Sequence, residues 1–214
     1  MKLRYLGHSS FALTSNSGTT AITDPYEGSI GFAMPPVSAQ AVTLSHHHYD
    51  HCNVSAVHGS PVVFDKAQRT CVGDIAIEGI GSYHDNCKGK MRGENVIFKL
   101  NVDGVVFCHL GDLGEEISPP LVSATGAVDV LLIPVGGTYT IDALTAKKYV
   151  EAIKPKIVIP MHFKTEDLTL DIDGADRFLS LFDGGQIERG GNEITLSRGD
   201  ICGLNGKIIV MERK

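Results

Sequence analysis

The densest group of side chains that could do chemistry lies at residues 45–51, which read Ser-His-His-His-Tyr-Asp-His. A short apolar run, Ala41–Leu44, precedes it and predicts a buried strand. Alternate side chains of an extended segment point the same way, so His46, His48 and Asp50 should project together, and a turn after Asp50 would bring His51 to join them. Neutral imidazoles and a carboxylate that converge on one point are ligands for zinc-like metals. The stretch therefore predicts a metal site.

The pattern His-x-His-x-Asp-His after a strand resembles the signature of the metallo-β-lactamase superfamily. The resemblance covers nearly the whole chain, because further ligand types follow later strands in the expected order. It implies an αβ/βα four-layer sandwich, in which two mixed β-sheets pack face to face with helices outside and the metals lie at the edge where strand ends meet. The alternation of strands and helices favours the same architecture, and we expect residues 1–214 to form one domain.

Three further candidate ligands follow predicted strands. His84 comes after the strand Asp74–Ile80, Asp112 comes after the strand Val105–Cys108, and His162 comes after the strand Ile157–Pro160. The resemblance implies two metal positions with one bridging carboxylate. Their ligand sets are His46, His48 and His84 for the first metal, Asp50, His51 and His162 for the second, and Asp112 between them.

Three other polar residues have competing interpretations. His109 is a rival ligand, but the resemblance places the ligand at His84. We therefore predict that His109 does not bind the metal itself and instead fixes the orientation of a ligand side chain. It could also protonate the leaving group, as could Tyr139 or Lys164, and the sequence does not rank the three. For Asp24 the resemblance implies a brace for the ligand loop, while a turn cap before a proline is an equal alternative. For His8, in the turn after the first predicted strand, we favour a surface position over one at the metal site.

Two loops could shape a substrate pocket. Glu27–Gln40 is rich in Gly and Pro, and its apolar residues could line the pocket or cover the core. The polar segment Asn86–Asn95 contains Lys88, Lys90 and Arg92, which could bind an anionic substrate or belong to an ordinary exposed hairpin loop.

The remaining elements follow from periodicity and turn chemistry. A hairpin is predicted from Val96–Val102 and Val105–Cys108, which flank Asp103-Gly104. Helices are predicted at Cys52–His58, at Ser118–Thr125 with Ser118 as N-cap, at Asp142–Ile153 with Asp142 as N-cap, and at Asp173–Phe182.

Composition excludes several classes of partner. The chain has 214 residues, a net charge of -6 and a pI of about 5.8, so no overall attraction to nucleic acid or anionic membranes is expected. Its five cysteines include no Cys-x-x-Cys pair, which predicts free thiols and a reducing compartment. No apolar run is long enough to span a membrane. We therefore predict a cytoplasmic protein with a small-molecule substrate and without nucleic-acid or membrane partners. The oligomeric state stays open.

The ligand set predicts a metal-dependent hydrolase with two divalent ions. Zn²⁺ is the first choice for a histidine-rich site, with Mn²⁺ or Fe²⁺ as alternatives. A hydroxide bridging the two ions would attack an ester, lactone or phosphodiester, and Asp50 could orient it. The motif spacing is similar to that of small Zn-dependent hydrolases related to ascorbate-6-phosphate lactonase, whereas flavodiiron proteins carry Glu in place of His48. The alternative is a metal-binding sensor or scaffold without turnover.

Overall fold

The computed structural model describes residues 1–213 and contains two β-sheets that pack face to face. The first is six-stranded, with the order β15-β1-β2-β3-β5-β7. Its strands are β1 (Lys2–Gly7), β2 (Ser10–Thr14), β3 (Thr20–Thr23), β5 (Ala41–Thr43), β7 (Val62–Phe64) and β15 (Glu193–Thr195). Two short strands, β4 (Val37–Ser38) and β6 (Val57–His58), pair with each other beside this sheet.

The second sheet is eight-stranded, with the order β14-β16-β13-β12-β11-β10-β9-β8. Its strands are β8 (Arg69–Val72), β9 (Ile75–Tyr83), β10 (Glu94–Val102), β11 (Val105–His109), β12 (Val130–Pro134), β13 (Ile157–Met161), β14 (Ile187–Arg189) and β16 (Lys207–Val210). Both sheets mix parallel and antiparallel pairs. The predicted fold class, two mixed sheets face to face, is therefore present.

Side chains from both sheets form one apolar layer between them. Leu3 and Phe11 from the six-stranded sheet and Phe98, Phe107 and Ile159 from the eight-stranded sheet are fully buried in it. Burial of side chains of this size contributes about 1.5–3 kcal/mol each, so this layer is the main stabilising core and fixes the two sheets against each other.

Helices cover the outer face of the eight-stranded sheet. They are α1 (Pro119–Thr125), α2 (Ala143–Ile153) and α3 (Asp176–Leu179), and their apolar sides form a second core with that sheet. The predicted caps are both present, because Ser118 accepts from Leu121 and Asp142 accepts from Thr145. None of the helices found in residues 1–213 has the length and hydropathy needed to cross a membrane.

Two of the predicted helices are wrong in extent. Cys52–His58 forms a single 3₁₀ turn followed by β6, and Val57, whose branched side chain suits a strand, packs on the outer face of the six-stranded sheet. Of Asp173–Phe182, α3 occupies four residues. The structure also contains β8, an edge strand that was not predicted because its half-exposed sequence lacks a clear apolar alternation.

The topology brings the candidate ligands to one edge of the sandwich. In the six-stranded sheet, β1, β3 and β5 run in the same direction, since β2 is antiparallel to both β1 and β3, and β5 is parallel to β3. In the eight-stranded sheet, β9, β11, β12 and β13 also share a direction. The carboxyl ends of such strands meet at one edge of a sheet, which is the usual place for a site.

Asp129 sets the register of three of these strands at the opposite edge. Its carboxylate accepts from the Val106 backbone N–H at 2.9 Å and from the Lys156 ammonium at 2.7 Å. These contacts tie together the beginnings of β11, β12 and β13, whose other ends lead to Asp112 and His162.

We expect Asp129→Asn to reduce the free energy of unfolding by about 1 kcal/mol at pH 7, the upper range for an ion pair partly open to solvent. Burial raises the pKa of Asp129, but Lys156 and the Val106 N–H outweigh it and hold the pKa below its usual 3.8. Because the folded pKa is the lower one, the stabilisation is present above about pH 4 and is lost as the pH falls further. Urea unfolding at pH 7 and pH 3 measures this, and an equal loss at both pH values would contradict it.

Candidate metal centre

The ligand loop after β5 is held by a buried aspartate at the end of β3. Asp24 accepts from the Ser45 backbone N–H at 2.8 Å and from the Ser45 hydroxyl at 2.5 Å. Its second oxygen also lies 2.9 Å from His51 Nδ1. With Nδ1–H donating to Asp24, Nε2 faces Asp50 and Asp112 and would be the atom available to a metal. The bracing role considered for Asp24 is the one that its contacts support.

His46, His48 and His84 form the first cluster of candidate ligands. Their ring nitrogens all lie within 4.8 Å of one another. His46 and His84 are buried, and His48 is exposed. The strands β5 and β9 place them together, although they belong to different sheets.

Asp50, His51 and His162 form the second cluster, and a fourth residue, His8, joins it. The ligand atoms of these four residues also lie within 4.8 Å of one another. His162 follows β13 directly and adopts a left-handed backbone conformation with φ of 50°. Non-glycine residues hold such conformations where the surrounding structure enforces them, and these positions often lie at functional sites.

Asp112 lies between the two clusters. One of its oxygens is 3.3 Å from His84 Nε2 and 3.2 Å from His162 Nε2, and the other is 3.2 Å from His51 Nε2. A single carboxylate therefore contacts members of both clusters.

The donor atoms fit divalent metal ions. Nε2 of His46, His51 and His162 is buried and has no hydrogen-bond partner among the described residues, although buried polar atoms are nearly always paired. Burial lowers the pKa of His46 to about 3, so this imidazole is neutral, which is the form that binds a metal. Burial lowers the pKa of His51, but Asp112, Asp24 and Asp50 outweigh it and raise the pKa well above its usual 6.5, so this imidazole would release a proton on binding a metal. Imidazoles with two carboxylates are a suitable donor set for zinc and related ions.

Asn95 supports the backbone of Asp112, a role that was not predicted. Asn95 accepts from the Asp112 backbone N–H at 2.9 Å and donates to the Leu110 carbonyl at 3.0 Å. Gly111 has φ of 57°, and a Cβ there would collide with Asn95 and Ser45. The glycine of the Gly-Asp pair is thus required both for its backbone conformation and for space. Asn95 was the last residue of the predicted polar loop Asn86–Asn95, and nothing in that loop indicated its role.

Residues 2–162 match the family model described as the beta-lactamase superfamily domain. The chain belongs to the metallo-β-lactamase superfamily. A UPF0173 metal-dependent hydrolase from Carboxydothermus hydrogenoformans is 29% identical over 194 residues, which cover 77% of this chain and 85% of the relative. A crystal structure from Thermotoga maritima, of a candidate Zn-dependent hydrolase of the superfamily, is 37% identical with a TM-score of 0.82, covering 100% of this chain and 99% of the other. A candidate metal-dependent hydrolase from Parabacteroides distasonis shares the fold, with a TM-score of 0.69 and 18% identity over 99% of this chain and 93% of its own.

In this member of the metallo-β-lactamase superfamily His8 is buried, so the favoured surface position is wrong. The residue is 2% exposed, and its Nε2 lies 3.2 Å from an Asp50 oxygen. The physical reason is topological, because β1 runs parallel to β3 and β5 and its end points to the same edge. A lone histidine in a turn carried no sign of this.

His109 lies outside the two clusters of candidate ligands. Its Nε2 donates to the Ser9 carbonyl at 2.8 Å, and its Nδ1 accepts from the Gly111 N–H at 3.2 Å. Both nitrogens are therefore occupied within the protein, and the side chain is fully buried. This arrangement suits a residue that positions the backbone before Asp112. Because the proton on Nε2 is donated to the Ser9 carbonyl, it is not directed at a leaving group.

We expect different results for the two rival histidines. His84→Ala should remove metal from the first position, because it deletes a direct donor. His109→Ala should leave most metal bound and lower activity by about ten- to a hundredfold, the usual scale for residues that support ligands. Metal content per folded chain and turnover of the same preparations measure both effects. Reversed phenotypes would contradict the assignment.

A cavity of about 350 Å³ opens over the two clusters. Besides candidate ligands, Tyr49, Arg92, Tyr139 and Leu170 line it. The segment Glu27–Gln40 does not contribute to this lining. Its residues Ile30 and Phe32 pack on Tyr26, Leu168 and Ile172 instead, which is the core-covering alternative.

Arg92 reaches the cavity because Asp85 organises its loop. The Asp85 carboxylate accepts from the backbone N–H groups of Cys87, Gly89, Met91 and Arg92 at 2.8–2.9 Å. These four hydrogen bonds give the loop a defined conformation, so it differs from an ordinary exposed hairpin loop. Lys164 is not among the residues lining the cavity, since its ammonium donates to the carbonyls of Leu168 and Leu170 at 2.6 and 2.8 Å.

Proposed function

We propose that this protein hydrolyses a small anionic ester, lactone or phosphodiester with two divalent metal ions, Zn²⁺ being the first choice. The position of Asp112, in contact with both histidine clusters and facing a cavity of about 350 Å³, is the observation that carries the proposal. This volume is at the lower end of the range for small-molecule sites. The names of the relatives as metal-dependent hydrolases support the reaction class.

In this proposal the chain divides its ligands between the ions. His46, His48 and His84 would hold the first, Asp50, His51 and His162 would hold the second, and Asp112 would bridge them. When bound, such a pair would supply hydroxide at neutral pH and compensate negative charge that develops on the substrate.

We assign roles in proton transfer to two residues that line the cavity. Burial raises the pKa of Asp50, but the neighbouring His51 and His8, whose Nε2 atoms lie 3.4 and 3.2 Å from the carboxylate, outweigh this and hold the pKa well below its usual range. Asp50 is therefore ionised and can accept a hydrogen bond from the nucleophile. Tyr139 alone of the three proposed donors lines the cavity, and its hydroxyl could protonate the leaving group.

Arg92 is the residue proposed to select an anion. Its guanidinium donates to the Thr138 carbonyl at 3.2 Å and lies 5.7 Å from the centre of the Tyr139 ring. Among residues 1–213 it is the one Lys or Arg that lines the cavity. A fixed guanidinium binds carboxylate or phosphate with two parallel hydrogen bonds.

The experiment is a panel of esters, lactones and phosphodiesters, each in neutral and anionic form, assayed with Zn²⁺, Mn²⁺ or Fe²⁺. Activity that needs metal and disappears with a chelator supports the proposal. Turnover that persists after complete metal removal would contradict it. Failure on every class with the metals shown in place would favour the sensor alternative.

Matched variants test the anion. Arg92→Gln should raise KM for anionic substrates by about ten- to a hundredfold, the scale of one charge-assisted contact, and change neutral ones little. Lys88→Gln, in the same loop but outside the cavity lining, is the control. Equal effects of both variants on both substrate forms would remove Arg92 from the binding site.

A further inference from the structure

The histidine after β1, which was expected at the surface, is built into the second cluster. The hydroxyl of the buried Tyr5 donates to the His8 carbonyl at 3.1 Å, and the His162 backbone N–H donates to the same oxygen, also at 3.1 Å. Two residues earlier, the hydroxyl of Tyr26 donates to the Leu6 carbonyl at 2.6 Å. The turn is thus fixed on both sides of Gly7 by buried tyrosines.

The backbone of His8 has an unusual conformation, and its side chain points into the protein. His8 has φ of 54°, a left-handed conformation that residues other than glycine rarely adopt. Its side chain is fully buried, and its ring centre lies 4.3 Å from that of His162. The fold therefore holds the His8 imidazole in a defined position beside the candidate ligands.

The distances indicate that role. Two ligands bound tetrahedrally to one ion at about 2.0–2.1 Å lie about 3.3 Å apart. His51 Nε2 lies 3.4 Å from the Asp50 oxygen, and His162 Nε2 lies 3.2 Å from Asp112. His8 Nε2 lies 3.2 Å from that same Asp50 oxygen, which is the spacing of a pair of ligands on one ion.

We propose that His8 is a fourth protein ligand of the second metal position, together with Asp50, His51 and His162. The inference rests on the proposed metal centre and adds a donor from β1 to it. The second position would then be richer in protein ligands than the first, which has His46, His48 and His84. The second ion would consequently be the more firmly held of the two.

Equilibrium metal binding tests this, with Zn²⁺ competition and the visible spectrum of the Co²⁺-substituted protein as readouts. His8→Ala should weaken one of two bound ions by at least about a hundredfold, beyond the usual effect of a supporting residue, and leave the other unchanged. The Co²⁺ absorption of the second position should shift, because its ligand field loses a nitrogen. Ser9→Ala is the matched control, since it removes a buried side chain of the same turn whose hydroxyl has no partner among the described residues.

His8→Gln separates a ligand from a hydrogen-bond partner of Asp50. The glutamine amide can donate to Asp50 as Nε2–H would, but it is a poor zinc ligand. Weak binding and an altered Co²⁺ spectrum in both His8 variants support the proposal. Recovery of wild-type affinity and spectrum in His8→Gln would overturn it and leave His8 as a positioning residue. If wild-type protein binds no metal, the proposed function fails as well, whereas unaltered binding in His8→Ala overturns the inference alone.

Discussion

Replacing Asp112 by Asn should lower hydrolysis by at least about a thousandfold and reduce bound metal from two ions per chain to one or fewer. The carboxylate contacts His51, His84 and His162 at 3.2–3.3 Å, so both positions depend on it. Asparagine has a similar shape but cannot share a negative charge between two cations. A loss of several kcal/mol from the transition state corresponds to at least a thousandfold in rate, at about 1.4 kcal/mol per tenfold.

Asp129→Asn is the control for this variant, because it makes the same chemical change at the opposite edge of the eight-stranded sheet. It should keep two ions and wild-type turnover per folded molecule. Metal analysis and steady-state kinetics on both variants measure the effect. Wild-type protein that never exceeds one ion per chain under metal-replete conditions would remove the bridging role of Asp112.

Removal of the two metals should abolish activity and lower the melting temperature by about 10–20 °C. Each ion, at a free concentration a hundred times its dissociation constant, stabilises the folded state by about 2.7 kcal/mol, so two ions contribute about 5 kcal/mol. In a chain of this size each kcal/mol corresponds to about 2–4 °C. Buried nitrogen atoms that have no hydrogen-bond partner within the described part of the chain, such as Nε2 of His46 and His162, are the physical reason for expecting this dependence. Differential scanning fluorimetry with and without chelator measures the shift.

The double variant His84→Ala/His162→Ala is the control for chelation, because it removes one donor from each proposed position. Its melting temperature should respond little to chelator. A wild-type melting temperature that is also unaffected, with metal analysis showing that chelation was complete, would mean that the clusters are stable without ions.

The sequence by itself identified the candidate ligands at 46–51 and the order in which the later candidates appear. This was possible because a ligand motif is local, and because His84, Asp112 and His162 each follow an apolar strand that periodicity predicts. The helix caps Ser118 and Asp142 could also be predicted from the sequence, because a capping side chain contacts a backbone N–H three residues away.

Only the tertiary structure decided which residues that are distant in the sequence come into contact. His8 lies 42 residues from Asp50, Asn95 lies 17 from Asp112, and His109 lies 100 from Ser9, yet each pair is in hydrogen-bond contact. The directions of β1 and β13, which place His8 beside His162, depend on strand pairing in separate sheets and on the core between them. A single histidine in a turn has no local signature of such a partner, so its burial and its role could be found only from the fold.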